Sequence, residues 1–266
     1  EGETKFMLKN YLFLMFKTII NPYEINDYYE ARTNDLNSPV IRSKKYRLSG
    51  YLSSDYRNKF ALDFGGGIVH EPLYSAKEYR WRISPRFRFN DKISMKYVLS
   101  VRNRYNDIGY VTKDSIQLIL TEPILSLRNT YMITNVLSGE YIINNKIDFS
   151  FKLRYHIDQV ENLEYQRLQN NGYLKPIDDL NIPQGTTNER NYSRWTSDIG
   201  LSWWFAPGSQ LSLVWKNGID NDTDVLKRNW FDNVNDSFSL SQENSLSLKV
   251  VYYLDYLYLK KRLIND

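Results

Sequence analysis

The chain has 266 residues, of which 42% are hydrophobic, and it carries a formal net charge of +4. The hydrophobic fraction is too high for a disordered chain, and the mean hydropathy of −0.55 is too low for a helical membrane protein. The absence of cysteine excludes a disulfide framework, a thiolate zinc site and a cysteine nucleophile. So small a net charge gives no reason to expect nucleic acid as a partner.

Apolar and polar residues alternate through most of the chain, which is the pattern of strands with one apolar face. The predicted strands are 5–20, 44–54, 59–70, 77–89, 93–105, 113–121, 126–143, 147–157, 192–205, 210–217 and 244–259. Segment 113–121 is the weakest, because Pro123 restricts it to a sheet edge or a break. Without that segment ten strands remain. Many of the segments exceed the roughly 9–11 residues that cross a bilayer at a tilt.

The predicted connections alternate between long and short. The long ones are 21–43, 106–125, 158–191 and 218–243, and the short ones are 55–58, 90–92, 144–146 and 206–209, with 71–76 of intermediate length. Outer-membrane barrels have short periplasmic turns, long extracellular loops and an even number of strands. The sequence therefore predicts an all-β fold, namely an antiparallel transmembrane outer-membrane β-barrel of about ten strands. We expect a single domain over 1–266, with both chain ends periplasmic and the long loops extracellular.

The polar faces of the strands carry charges, and many of these are basic. The basic residues expected to face the lumen are Arg80, Arg82, Arg86, Arg88, Lys96, Arg102 and Arg104. Such a lumen favours anions. The alternative is that Asp63, Asp148 and Asp198 on other strands pair with these residues, so that charged side chains plug the barrel.

The hairpin at 202–218 shows the two faces most clearly. Pro207 and Gly208 predict its turn, because proline presets one φ and glycine tolerates the other. Before the turn lies a cluster expected in the inner interface girdle, made of Trp203, Trp204 and Phe205. After the turn, Leu211, Leu213 and Trp215 alternate with polar residues and are expected to face lipid.

Exposed aromatic residues of the predicted loops are candidates for stacking on sugar rings or contacting a partner protein, and packing within the loops is the alternative. They are Tyr28, Tyr29, Tyr173, Trp230 and Phe231.

Acidic residues of the loops offer two weak chemical candidates. Asp220, Asp222 and Asp224 resemble the start of a calcium loop, but Val225 and Phe231 stand where that loop needs Gly and Glu. A solvated acidic loop is the alternative. The pairs 178–179 and 161 with 164 are carboxylates of the kind that glycosidases use, but acidic pairs are common in loops. We therefore predict no enzyme, no catalytic residue and no cofactor.

Two C-terminal motifs carry a family resemblance. "SWWFAPGSQLSLVWKN" (202–217) and "NSLSLKVVYYLDYLYLKK" (244–261) resemble a family of Bacteroidota outer-membrane proteins called domain of unknown function 5916, and segments 49–67 and 135–156 resemble it in the same order. The resemblance implies a barrel region at the C-terminal end of a longer protein. Upstream it implies a domain similar to family-nine carbohydrate-binding modules.

The expected role is structural, docking or transport, with a link to glycan capture. The expected partners are outer-membrane lipid and lipopolysaccharide, together with other outer-membrane proteins or glycans. The alternatives are a non-conducting subunit of a larger complex and, with little support, a surface glycan-active enzyme.

Overall fold

The computed structural model describes residues 1–32, 39–111, 123–177 and 189–254. The strands are β1 (Gly2–Met7), β2 (Phe13–Asn21), β3 (Ile25–Asp27), β4 (Val40–Arg42), β5 (Lys45–Ser53), β6 (Phe60–Glu71), β7 (Ala76–Arg88), β8 (Ile93–Tyr110), β9 (Ile124–Asn144), β10 (Ile147–Leu168), β11 (Leu174–Pro176), β12 (Arg190–Ala206), β13 (Ser209–Thr223) and β14 (Glu243–Val251). One helix, α1 (Trp230–Phe238), lies between β13 and β14, and a single 3₁₀ turn spans Pro72–Tyr74. No helix among the described residues is long and apolar enough to cross a membrane.

One antiparallel sheet contains nearly all of the strands. Its order is β1-β2-β5-β6-β7-β8-β9-β10-β12-β13-β14, with β11 attached to β10, while β3 and β4 form a separate pair. Each long strand thus pairs with its neighbour in sequence, as short turns dictate. The prediction of an all-β, antiparallel fold is confirmed.

The predicted strand 5–20 is wrong in one respect, because it is two strands. Residues 8–12 form a turn in which Tyr11 has a positive φ of 61° and its amide donates to the carbonyl of Leu8. The path through the described part of the sheet therefore has eleven strands, and segment 113–121 lies outside the described residues. Within the described residues, the first strand of this path begins and the last one ends at opposite ends of the sheet; the location of both chain ends in the periplasm stays a prediction. Gly2 is in register with Thr18, so β1 begins towards the long connections. β14 ends at Val251, opposite Gln210 beside the β12–β13 turn.

Five of the short turns lie at one end of the sheet, here called the turn end; the opposite end, which holds the long connections and the short β6–β7 turn, is the loop end. The turn end holds the connections β1–β2, β5–β6, β7–β8, β9–β10 and β12–β13. In the last of these Gly208 has φ 72°, which confirms the predicted Pro207-Gly208 turn. The predicted connection 71–76 is reduced to the tight 3₁₀ turn at Pro72–Tyr74.

The largest cluster of buried apolar residues is at the loop end. Its members are Ala31, Val40, Ile108, Leu125, Leu168 and Leu174. Arg42 fastens the β3–β4 pair there, because it contacts Asp27 at 3.0 Å, Glu30 at 2.7 Å and the carbonyl of Ile108 at 3.2 Å. Burial alone raises the pKa of Asp27, but hydrogen bonds from the Tyr29 amide and from Arg42 outweigh it, so this pKa lies below its usual value.

Candidate functional site

One face of the main sheet is apolar and uncovered over most of its area. Every second residue of each strand lies on this face. The register between neighbouring strands places these mostly apolar residues opposite one another across the sheet. Typical neighbours across four strands are Phe64, Ile83, Leu99 and Asn135. Exposure of the large apolar side chains is high, for example 53% at Leu48 and 69% at Leu246. We call this the apolar face and the opposite one the polar face.

Aromatic residues cross the apolar face in two rows. The turn-end row contains Phe60, Phe87, Tyr141 and Trp203, and the loop-end row contains Tyr46, Tyr79, Tyr105, Tyr131 and Trp195. Within the rows neighbouring rings touch: the ring centroids of Phe60 and Phe87 are 4.9 Å apart, and Tyr105 lies 6.1 Å from Tyr79 and 6.0 Å from Tyr131. We call the strip between the rows the apolar belt.

The two rows keep the same offset as they cross the sheet. Phe87 of β7 is in register with Ile199 of β12, but the aromatic residue of the row on β12 is Trp203, four residues nearer the turn end. The loop-end row shifts by the same amount. Tyr79 of β7 is in register with Asn191 of β12, whereas the aromatic residue of this row on β12 is Trp195. The rows therefore run parallel to each other and oblique to the strands.

No side chain of the apolar belt carries a formal charge in the part of the chain that the structure describes. Two of its polar groups are bonded within the protein: Asn135 accepts from the hydroxyl of Tyr97 at 2.6 Å, and Ser197 accepts from the indole of Trp195 at 2.8 Å. Internal pairing of this kind is what an apolar environment requires of polar groups.

Helix α1 packs on the apolar face beside Trp195 through polar and aromatic contacts. Its buried residues are Asn233 and Ser237, which bond to polar groups of β12: Asn191 donates to Asn233 at 2.8 Å, and the hydroxyls of Ser193 and Ser237 are 2.9 Å apart. Two aromatic rings flank this contact, because Trp230 lies 5.8 Å from Tyr155 and Phe238 lies 5.1 Å from Trp195. Sequence reasoning assigned 218–243 to a loop and missed this helix, although Trp230, Val234 and Phe238 recur at a helical spacing.

The predicted grouping of Trp203, Trp204 and Phe205 on one face is wrong, because successive side chains of a strand point to opposite faces. The rings of Trp203 and Phe205 are 5.7 Å apart, whereas Trp204 lies beside Lys146 and Asp148 of the polar face. Only two of the three aromatic residues therefore share the apolar face. The residues after the turn, Leu211, Leu213 and Trp215, do lie together on it, opposite Trp203, Leu201 and Ile199.

The polar face is concave and strongly basic. Its largest groove has a volume of about 540 Å³ and crosses from β2 to β9. The cations lining this basic groove are Lys17, Arg47, Arg80, Arg82 and Arg102. A second groove nearer the turn end contains Arg86 and Lys96. Arg104 lies at the loop end in a further cavity with Asp107, and Arg88 lines none of these spaces. The arginine rows thus share one face but not one site.

Ion pairing is concentrated at the loop end of this face. Glu78 is buried and holds Arg102 at 2.8 Å and Arg104 at 3.4 Å, while Asp107 holds Arg104 at 2.7 Å. The three carboxylates named as plugging partners, Asp63, Asp148 and Asp198, form no ion pair with the basic rows within the described residues. Asp63 instead accepts a hydrogen bond from Ser53 at 2.7 Å and contacts the Tyr56 hydroxyl. Burial first, and this acceptor second, raise the pKa of Tyr56, which lies in the β5–β6 turn, to about 12.

The loop aromatics do not form one platform. Tyr28 and Tyr29 line a loop-end cavity of about 470 Å³, Tyr173 donates a hydrogen bond to Glu24 at 2.8 Å, and Trp230 and Phe231 belong to α1.

The acidic candidates serve the fold. Asp222 pairs with Arg190 at 2.9 Å, Asp220 accepts from Tyr192 at 2.8 Å, and the described residues hold no cluster of three potential metal ligands. Glu161 pairs with Arg228 at 2.7 Å, and Asp178 and Asp179 lie outside the described residues.

Comparison with protein families gives a match over nearly the whole chain. The model described as "Domain of unknown function (DUF5916)" matches residues 1–263. The chain belongs to this family. No curated protein matches it. Membership in this family does not indicate a biochemical activity, so any functional proposal must be argued from the residues of this chain.

Proposed function

We propose that this member of the DUF5916 family forms the wall of a β-barrel that spans the bacterial outer membrane. In this arrangement the apolar belt contacts lipid and the polar face lines the lumen. The observation that carries the proposal is the charge-free belt bounded by two parallel aromatic rows, because transmembrane barrels present an apolar band flanked by aromatic girdles to lipid. The long connections then face outward and the short turns face the periplasm.

The dimensions of the belt support a membrane. From β7 to β12 each aromatic row shifts by four residues, which is about 13 Å along the strands. The same four steps from strand to strand cover about 19 Å across the sheet. This ratio corresponds to a strand tilt of about 35°, within the range of membrane barrels. Tyr79 and Phe87 are eight residues apart, so the rows are separated by about 22 Å along the membrane normal, close to the apolar height of about 25 Å in such barrels.

The size of the belt favours lipid over a protein partner. Eleven tilted strands and this height give on the order of 1,500 Å² of continuous apolar surface, whereas the largest patch on a typical soluble monomer is about 300–600 Å². Helix α1 also leaves apolar surface exposed, because Phe231 is 68% accessible.

The barrel needs further strands to close. β1 and β14 each have one neighbour among the described strands, and single-chain bacterial barrels have even strand numbers. We therefore expect at least one additional strand between β14 and β1, supplied by a longer form of the chain or by another copy.

The function within the membrane has two candidate forms. Transport of anions is supported by the basic groove, which passes along the lumen side. A non-conducting structural or docking subunit is supported by the ion pairs around Glu78 and by the packing of the β3–β4 pair at the loop end. A link to glycans stays a proposal; the exposed Tyr28 and Tyr29 are its best support, and a glycan array tests it.

Reconstitution tests the proposal. We expect the purified chain, refolded with lipid vesicles, to float with them in a density gradient and to stay bound in alkaline carbonate, which removes peripheral proteins. Protein that remains at the bottom of the gradient would contradict membrane insertion. Conductance in planar bilayers then separates the two forms: anion-selective currents identify a pore, and inserted protein without current identifies a plugged subunit.

A further inference from the structure

The basic groove holds an uncompensated concentration of positive charge. Its lining includes four arginines and one lysine but no carboxylate. Lys17 reaches Glu1 at 2.5 Å, and Arg102 pairs with Glu78 outside the groove. Within the described residues, Arg47, Arg80 and Arg82 have no carboxylate within ion-pair distance. An anion in the groove would therefore meet three guanidinium groups that form no ion pair, although Glu78 lies near enough to Arg80 to interact with it electrostatically.

The fold tolerates electrostatic repulsion at this site. Arg80 is directly opposite Arg102 on the neighbouring strand, and like charges in this position destabilise a sheet. In addition, the Nε atom of Arg47 is buried without a hydrogen-bond partner, which costs free energy in any protein. A bound anion would remove both penalties, because it would accept hydrogen bonds from these groups and screen their repulsion.

The floor of the groove is made by glycines. Gly65 and Gly67 of β6 lie on the polar face, in register with Arg82 and Arg80. A Cβ atom at Gly67 would come within 3.0 Å of Ser49 and 3.3 Å of Nε of Arg80. The absence of a side chain at Gly67 thus lets Arg80 and Ser49 pack against the backbone of β6, and Gly65, which lines the groove, adds no side chain to its floor.

We propose that this groove is a binding site for a solute carrying at least two negative charges on carboxylate or phosphate groups. Arginine recognises the planar or tetrahedral oxygens of both groups through paired N–H donors. The volume of about 540 Å³ fits a small organic molecule, and Met15, Ile19 and Met132 provide apolar contacts for its carbon skeleton. This inference goes beyond the proposed membrane role, because it depends on the groove and not on the surroundings of the apolar face.

Titration calorimetry on the full chain in detergent micelles tests the site, with inorganic pyrophosphate and citrate as probes. We expect saturable binding of one probe molecule per chain. Arg80→Gln and Arg82→Gln should each weaken binding about 10- to 100-fold, the loss expected for one charge-assisted hydrogen-bonded group. The matched control is Arg88→Gln, which changes the same charge on the same strand and face but lies outside the groove; it should change affinity less than about twofold.

A second variant keeps every charge and changes only the shape. Gly65→Leu fills the floor of the groove, and we expect it to weaken binding at least as strongly as Arg82→Gln. Unsaturable binding, or equal losses in Arg88→Gln and Arg82→Gln, would show general ionic attraction and overturn the proposal. Anionic vesicles distinguish a phospholipid headgroup from a soluble solute as the ligand. If the vesicles bind and the soluble probes do not, the solute site is refuted. Binding in micelles does not require membrane insertion, so this test and the flotation test fail independently.

Discussion

A single arginine in the middle of the apolar belt gives a quantitative test of its surroundings. Ile83 lies on β7 between Phe64 and Leu99 of the adjacent strands, four residues from each aromatic row. It is therefore about 11 Å from either row along the membrane normal, close to the expected bilayer midplane. We predict that Ile83→Arg lowers the free energy of unfolding from vesicles by about 2–4 kcal/mol, the cost of arginine at this depth.

The control places the same side chain outside the belt. His70 lies on the apolar face at the loop end, opposite Tyr46 and Lys77, and His70→Arg should cost about 0–1 kcal/mol. Denaturant unfolding followed by tryptophan fluorescence measures both variants. A cost for Ile83→Arg below about 0.5 kcal/mol, the usual range for a wet surface position, would refute lipid contact at this site.

Three further predictions concern polar groups outside the belt. Asn233→Leu should destabilise the protein by about 1–3 kcal/mol, because it leaves buried amides unpaired, whereas Asn235→Leu on the exposed side of α1 should change stability by less than about 0.5 kcal/mol; thermal unfolding compares them. Glu78→Gln should lower the free energy of unfolding by about 2 kcal/mol, which is less than the loss of a fully buried ion pair because Arg102 remains 44% exposed. Denaturant unfolding measures this cost. The control is Asp222→Asn, which removes an exposed ion pair; an equal loss of stability in both variants would argue against the prediction. Because the folded pKa of Asp27 is lowered, its stabilising effect is complete above its usual pKa and lost as the pH falls through the folded pKa. The protection of the Tyr29 amide from hydrogen exchange, measured relative to an unstructured peptide at the same pH, should therefore fall in acid, and Asp27→Asn should remove this dependence.

The alternation of apolar and polar residues predicted most of the strands, because a strand with one apolar face requires a period of two in the sequence. It missed the turn at 8–12, because the left-handed residue is Tyr11 and the neighbouring turn signal is a single asparagine, Asn10, whose side chain accepts a hydrogen bond from the Leu12 amide. The girdle prediction for Trp204 failed for a different reason: alternation itself places Trp204 on the face opposite Trp203 and Phe205.

The basic rows were predictable, but the site among them was not. Sequence places Arg80, Arg82, Arg86 and Arg88 on one face, and only the register across several strands shows which of them share a groove. Arg47 joins that groove from β5, and its strand offers no neighbouring arginine of the same parity to signal it. The run Gly65-Gly66-Gly67 was the available signal, because glycine within a strand often marks the close approach of a ligand or another backbone.

The side of the sheet that faces lipid is tested most directly by labels on alternate residues of β9. Because the chain contains no cysteine, single cysteines at Ile133, Thr134, Val136 and Leu137 carry spin labels without background. In vesicles we predict that labels at Ile133 and Leu137 collide with oxygen and are shielded from a water-soluble nickel complex, while those at Thr134 and Val136 show the reverse. Nickel access to both faces, or no alternation between them, would contradict a transmembrane barrel wall.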